Sequence, residues 1–365
     1  MDKGYMKMAL ELAKKGRGRV NPNPMVGAII VKNEKVIGVG YHEEYGKAHA
    51  EVNAINNAVY DVKGATLYVT LEPCSHYGKT PPCVEKIIEN KIKRVVIGMV
   101  DPNPLVSGNG VKKLKQAGVE VVIGVLEDEC KKLNEVFIKY ITYKKPFVIL
   151  KTAMSLDGKI ATSLGESKWI TGEESREKVH RLRNEVLGIM VGIDTVIKDN
   201  PQLTCRLKEG KSPTRIIVDS KLRIPMESKV LEDISNVKTI IATTESADKN
   251  KLVKLEALGA KVLTIKSKNN KVDLNDLMIK LGHLKIDSIL LEGGAKLNFS
   301  ALESGIVDKV QFYISPKIIG GTGSKTPVGG NGIELLKDAY KVKDITLRTI
   351  GEDILIEGYI LGGKS

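Results

Sequence analysis

Short apolar runs alternate with helix-spaced amphipathic stretches from one end of this chain almost to the other. A strand followed by a helix, repeated many times, buries its apolar faces only when helices cover both sides of a sheet, so the pattern demands an α/β architecture. The first stretch predicts a helix near Tyr5–Lys15, then a loop rich in Gly, Arg, Asn and Pro over 16–24. Val26–Val31 reads as a strand, and Lys32-Asn33-Glu34 turns it into a second strand, Lys35–Tyr41. A helix over His49–Tyr60, a strand at Thr66–Leu71 and a helix at Val84–Asn90 follow, the last opened by Pro81 and Pro82, where proline suits a helix start. Arg94–Val100, Gly110–Ala117 and Glu120–Val125 complete this half as strand, helix and strand.

The pattern breaks near Thr142–Pro146, and new strands begin at Phe147. With 365 residues and roughly 150 per domain, two domains are expected, 1–145 and 146–365, and no repeat relates them. Strands are expected at Leu187–Val191, Arg215–Val218, Thr239–Ala242, Val262–Ile265, Ser288–Leu291, Lys309–Ile314 and Ile354–Ile360.

Composition removes several classes. A chain with 42% hydrophobic and 28% charged residues is neither disordered nor collagen-like. No apolar run reaches the roughly 18 residues of a membrane span, and the amphipathic N-terminus lacks the apolar core of a signal peptide. Four cysteines make no disulfide framework, so a reducing, cytoplasmic location is expected. The formal charge of +13 favours anionic partners, either nucleic acid or phosphorylated small molecules. Aromatic residues are only 4% of the chain, which argues against a surface that stacks single-stranded bases.

His49-Ala50-Glu51, Pro73-Cys74 and Pro82-Cys83 carry the strongest chemical signal. One His and two Cys make the three-ligand set of a catalytic zinc, which keeps a fourth position for water. Zinc brings that water's pKa toward neutrality, and Glu51, a carboxylate outside the ligand set, is placed to move the proton. His49 and Glu51 are two residues apart and share no helical face, so they converge only if His49 stands at the helix entrance. Cys130 and Cys205 have no such company and read as buried thiols.

These motifs resemble the cytidine-deaminase superfamily, with one departure: eight residues separate Cys74 from Cys83, where the superfamily has two. The intervening Ser75–Pro82 and the signature Asn21-Pro22-Asn23-Pro24-Met25-Val26-Gly27 resemble the deaminases of riboflavin biosynthesis. The resemblance implies an N-terminal three-layer α/β/α domain in which Asn23 meets the pyrimidine edge. It leaves His42, His76 and Lys79 as candidates to contact the ribose phosphate.

Lys151–Ala161, Ser167–Thr171, Val191–Thr195, Asp199–Arg206 and Glu292-Gly293-Gly294 resemble the reductase half of the same bifunctional family, with a dihydrofolate-reductase-like α/β fold. This implies NADPH as cofactor, held by Ala153, Trp169, Thr195, Asp199, Ser220, Gly293 and Gly294. It implies substrate contacts at Ser167, Arg183, Leu203, Arg206 and Glu292. Lys151 is either a proton donor to the opening sugar or a strand-edge cation, and Asp157 fixes a turn with Gly158. Gly320–Thr326 lacks the spacing of a Walker phosphate loop.

The implied activity is zinc-dependent deamination of 2,5-diamino-6-ribosylamino-4(3H)-pyrimidinone 5′-phosphate, then NADPH-dependent reduction of its ribosyl group to ribityl. Homo-oligomer formation is expected from the family, with no nucleic-acid or membrane partner. The alternative is a zinc-dependent RNA base deaminase with a basic appended domain.

Overall fold

The computed structural model describes residues 1–77, 81–103 and 107–361. The chain forms two compact units, Met1–Lys144 and Lys145–Ser365. The first contains α1 (Asp2–Lys14), β1 (Gly27–Lys32), β2 (Lys35–Tyr41), α2 (Ala50–Asn56), β3 (Thr66–Leu71), α3 (Cys83–Glu89), β4 (Arg94–Met99), α4 (Asn109–Gln116), β5 (Glu120–Ile123), α5 (Glu127–Leu133) and α6 (Glu135–Tyr143). Its sheet runs β2-β1-β3-β4-β5; β1 is antiparallel to both neighbours and β3, β4 and β5 are parallel. Asn33 and Glu34 both take positive φ, the geometry that lets a two-residue turn follow the twist of β1 and β2.

Three glycines show how the layers form. A Cβ on Gly27 would lie 2.0 Å from the Ala9 carbonyl of α1. Gly40 pairs with Ala28, so it faces the opposite side of the sheet, and a Cβ there would lie 2.3 Å from Ala54 N of α2. Helices therefore press directly on both faces at positions where no side chain fits. Gly98, on the α1 face beside Thr70, admits Cys130 of α5 in the same way. The result is the three-layer α/β/α arrangement expected, with the β-strands as its buried core.

Helix α2 ends at Asn56, short of the predicted Tyr60. Val59 N–H donates instead to Ile37 O of β2 at 2.8 Å, which draws the chain out of the helix and leaves Val59 and Tyr60 exposed.

The second unit contains β6 (Phe147–Ser155), α7 (Glu173–Glu185), β7 (Gly188–Gly192), α8 (Ile193–Asp199), β8 (Thr214–Val218), α9 (Lys229–Glu232), β9 (Thr239–Thr243), α10 (Lys249–Ala257) and β10 (Lys261–Thr264). It continues with a small hairpin, β11 (Ser267–Lys268) and β12 (Lys271–Val272), then α11 (Leu274–His283), β13 (Ser288–Leu291), α12 (Ala295–Glu303), β14 (Lys309–Ser315), β15 (Val342–Ile350) and β16 (Asp353–Ile360). The main sheet runs β10-β9-β8-β7-β13-β6-β14-β16-β15. Strands β10 through β14 are parallel, and β16 and β15 close one edge antiparallel. Ligands of such sheets gather at the C-terminal strand ends, where helices begin. Among the described residues no helix is long and apolar enough to cross a membrane.

Candidate active site

In the first unit, His49 caps α2 with extended backbone (φ −76°, ψ 165°), so it stands outside the helix whose first turn holds Glu51. That resolves the spacing conflict: the two side chains converge because only one belongs to the helix. Cys74 follows β3, and Cys83 opens α3 behind Pro82. Cys83 N–H donates to Cys74 Sγ at 3.3 Å, and Val84 N–H to Cys74 O at 3.2 Å, which fixes the two thiols side by side.

The ligand atoms of His49, Cys74 and Cys83 all lie within 4.8 Å of one another. Zinc in tetrahedral coordination holds nitrogen at about 2.0 Å and sulfur at about 2.3 Å, which sets N and S about 3.5 Å apart. The His49 Nδ1 distances of 3.3 Å to Cys83 Sγ and 3.5 Å to Cys74 Sγ fit that ion. The Cys74 thiol is held down at about 4, by its bond with Cys83 and then by His49, so it surrenders its proton as a ligand must. The bond to Cys74 raises His49 to about 8. Burial lifts the Glu51 carboxyl to about 7, so it can both take and give a proton near neutrality.

Asn23 Nδ2 stands 3.2 Å from His42 Nε2, and His42 Nδ1 is 3.1 Å from Ala48 O. A donor Nδ1 and an acceptor Nε2 satisfy both contacts, leaving the Asn23 amide oxygen to meet a ligand. His42, expected near the phosphate, stands behind Asn23. It is buried, both ring nitrogens are engaged, and burial lowers its pKa. His76 is exposed beside the cluster, and Lys79 lies outside the described residues.

Two supporting residues escape the motif reading. Asn134, at the α5–α6 junction, accepts from Met25 N–H at 2.8 Å and donates to Met25 O at 2.9 Å, pinning the segment that carries Asn23. Glu72, buried just before Pro73-Cys74, accepts from the N–H groups of Asp101, Gly108 and Val111 at 3.0–3.1 Å. Its one sequence signal is a carboxylate ending an apolar strand.

In the second unit a cavity of about 1050 Å³ opens where β7 and β8 end and α8 and α12 begin. Thr195, Asp199, Ser220, Gly294 and Ser167 line it together, so Ser167 falls among the residues expected to hold the cofactor. Lys198, Lys221, Arg223, Lys271, Lys296 and Lys325 make its wall cationic, as a dinucleotide's phosphates require. Lys325 lies in the glycine-rich stretch, 320–326, that lacks the Walker spacing. Gly293 is forced: a Cβ would lie 2.6 Å from Asn298 Oδ1. Ser220 Oγ accepts from Val272 N–H at 3.1 Å, anchoring the β11–β12 hairpin. Ala153 and Trp169 do not line this cavity. Ala153 packs on β6 against Val179, Tyr313 and Leu355, and Trp169 is 59% exposed beneath the Arg176 guanidinium.

A second polar group sits at the end of β13. Arg183 Nε and Nη2 donate to the two Glu292 oxygens at 2.8 and 3.1 Å, and Lys151 Nζ lies 3.7 Å from Glu292. Burial would raise the Glu292 carboxyl, but Arg183 and Lys151 overcome it and hold it at about 2. Burial lowers the Lys151 ammonium, which makes it a readier proton donor than a surface lysine; it is no strand-edge cation. Leu203 is buried with φ +55°, and Arg206 is exposed. Asp157 does more than shape its own turn: its carboxylate accepts from Ile319 and Gly320 N–H at 3.1 and 2.7 Å.

Residues 1–99 match the cytidine and deoxycytidylate deaminase zinc-binding region, and residues 146–356 match the RibD C-terminal domain. Riboflavin biosynthesis protein RibD of Actinobacillus pleuropneumoniae is 52% identical over 360 residues, covering 99% of this chain and 96% of that protein. The structure of Acinetobacter baumannii RibD superposes with a TM-score of 0.89 at 37% identity, over 99% of each chain. A Thermotoga maritima structure, described as a diaminohydroxyphosphoribosylaminopyrimidine deaminase/5-amino-6-(5-phosphoribosylamino)uracil reductase, gives 0.84 at 43% identity over 99% of each chain. Fold and sites thus define a bifunctional enzyme, a zinc-binding deaminase domain followed by an NADPH-dependent reductase domain. The chain belongs to the RibD family of riboflavin biosynthesis.

Proposed function

We propose that residues 1–145 deaminate the diamino pyrimidine ribosyl phosphate and residues 146–365 reduce its ribosyl group to ribityl. The observation that carries this is the cluster of His49, Cys74 and Cys83 beside the buried carboxyl of Glu51. His49, Cys74 and Cys83 hold zinc, which supplies a water acidic enough to react at neutral pH. Glu51 takes a proton from that water's side of the site and delivers it to the departing amine, which leaves as ammonia. Asn23 orients the pyrimidine edge, with His42 behind it, and His76 and Lys79 meet the phosphate.

In the reductase, Thr195, Asp199, Ser220, Gly293 and Gly294 hold NADPH, which supplies the hydride. Ala153 and Trp169 border the cofactor outside the cavity itself. Lys151 delivers the proton that the sugar oxygen needs as the ring opens, with Glu292 fixing its ammonium. Ser167, Leu203, Arg206 and the Arg183–Glu292 pair shape the substrate's place. The low aromatic content supports a small phosphorylated substrate over nucleic acid. The exposed Ile345 and Leu347 on edge strand β15 support pairing of subunits. The chain acts in the cytoplasm, without a membrane partner; its four free cysteines support a reducing location.

The test is incubation of the zinc-loaded protein with the diamino pyrimidine ribosyl phosphate, followed by mass spectrometry. Exchange of one nitrogen for oxygen without NADPH, and gain of two hydrogens only with it, is the expected result. No change in either tube, with zinc present, overturns the reading.

A further inference from the structure

Arg215 is the largest of the fully buried side chains, 1% exposed, on interior strand β8. Among the described residues its side-chain hydrogen bonds run to carbonyls, Nε donating to Gln202 O at 2.9 Å and Nη1 to Val230 O at 3.2 Å and Val237 O at 3.3 Å, while Asp233 adds a favourable charge without a hydrogen bond. A guanidinium taken out of water without a bonded carboxylate is costly, and it persists where its donors satisfy acceptors that nothing else reaches. Of these, Gln202 O and Val237 O belong to irregular backbone, whereas Val230 O belongs to α9 and also accepts from Thr239 Oγ1 at 2.8 Å.

One of them, Gln202 O, lies in the Asn200–Arg206 segment, whose shape needs external support. Leu203 holds φ +55°, a value that a leucine keeps only when its surroundings enforce it, just after Asn200 ends α8 at φ +39°, a left-handed cap that asparagine tolerates. The segment is tied at nearly every residue. Asn200 Oδ1 accepts from Lys229 N–H at 2.8 Å, and Thr204 O accepts from Arg183 Nη1 at 2.9 Å. Cys205 N–H donates to Ser212 Oγ at 3.1 Å, and Arg206 N–H donates to His180 Nδ1 at 3.3 Å. Arg183 then continues to Glu292, and Glu292 to Lys151. A buried arginine at one end and a histidine at the other thus bracket the segment that carries Leu203 and Arg206.

We propose that Arg215 is a positioning residue of the reductase, acting with His180 to hold the Asn200–Arg206 segment in the shape that recognises the phosphorylated pyrimidine. The inference rests on Leu203 and Arg206 being substrate contacts.

The experiment uses the full zinc-loaded chain and three substitutions, Arg215→Met, Arg215→Lys and His180→Ala. NADPH affinity is read by fluorescence titration, and KM and kcat by reduction of the deaminated pyrimidine ribosyl phosphate. For Arg215→Met, the pyrimidine KM should rise by about tenfold or more, with NADPH Kd and kcat within about threefold of the parent. Arg215→Lys should recover part of that loss, because an ammonium can still reach one carbonyl. His180→Ala should raise the same KM, and it decides the matter if Arg215→Met yields no folded protein. An unchanged pyrimidine KM in the folded variants overturns the proposal. So does a parallel loss of NADPH binding, which marks a role in the whole sheet. Arg206→Ala separates the two readings. If it leaves reduction intact, the segment is not the substrate's contact. If it impairs reduction while the Arg215 and His180 variants do not, only the positioning role is wrong.

Discussion

The Glu292 carboxylate accepts two parallel hydrogen bonds from a single guanidinium, Arg183, at 2.8 and 3.1 Å in a largely buried setting. Removing one partner of such a pair strands the other's charge and costs about 3–5 kcal/mol. Arg183→Ala should therefore lower the melting temperature of the reductase unit and abolish reduction while deamination persists. Arg183→Lys should rescue little, because an ammonium cannot reproduce the fork or also reach Thr204 O. Parallel assays of both activities check this; equal loss of both would mean general unfolding.

Acid should weaken the same pair. Glu292 is held near 2 in the folded chain against an ordinary 4.5. A depressed carboxyl pKa gives stability that is complete above the unfolded value and lost as pH falls from there toward 2. The difference amounts to at most about 3 kcal/mol. Glu292→Gln should flatten the fall in melting temperature between neutral pH and pH ~3. An acid limb as steep as the parent's would show that other carboxyls dominate.

Glu51→Gln should keep the metal and lose deamination by about a hundredfold or more. Cys83→Ser should lower zinc content, measured by elemental analysis, and a chelator should remove deamination while NADPH-dependent reduction of the deaminated intermediate continues. Undiminished zinc in Cys83→Ser would mean the ligand set is wrong.

Asn134→Ala removes both bonds to the Met25 backbone and leaves its part-buried N–H and C=O without that partner, at about 1 kcal/mol. Since Met25 is two residues from Asn23, the deaminase KM should rise more than its kcat falls. A kinetic profile identical to the parent's would separate Asn134 from the site.

Gly293→Ala places a methyl 2.6 Å from the oxygen of Asn298, whose amide nitrogen is already committed to Pro327 O. NADPH affinity should drop, with deamination untouched. Unaltered NADPH titration would show that the turn can shift without disturbing the cavity.

Local chemistry made much of this legible in advance. Most of the inner strands are apolar runs, and the candidate zinc ligands Cys74 and Cys83 sit at a strand end and behind a helix-starting proline. What stayed hidden has identifiable causes. Strand β15 has Asp344 at φ +51° and a register shift between Lys343 and Thr346, which breaks the alternation that marks a strand. Helix α6 is built from Val136, Phe137, Ile138, Tyr140, Ile141 and Thr142, residues that favour strands, and it is helical because of what it packs against. The stacking of Arg176 over the Trp169 ring leaves no trace in the sequence.

Residue types at short spacing are enough to mark the α/β class, the candidate zinc ligands His49, Cys74 and Cys83 with Glu51 beside them, and the resemblance to a two-activity family. The fold alone brings His42 to Asn23, Asn134 to Met25 from 109 positions away, and Arg183 to Glu292 across the same separation. Those pairings depend on which strand ends and helix starts the two sheets bring together. Hydrogen bonds between distant residues leave no periodic or local trace in the chain, since their partners are chosen by packing.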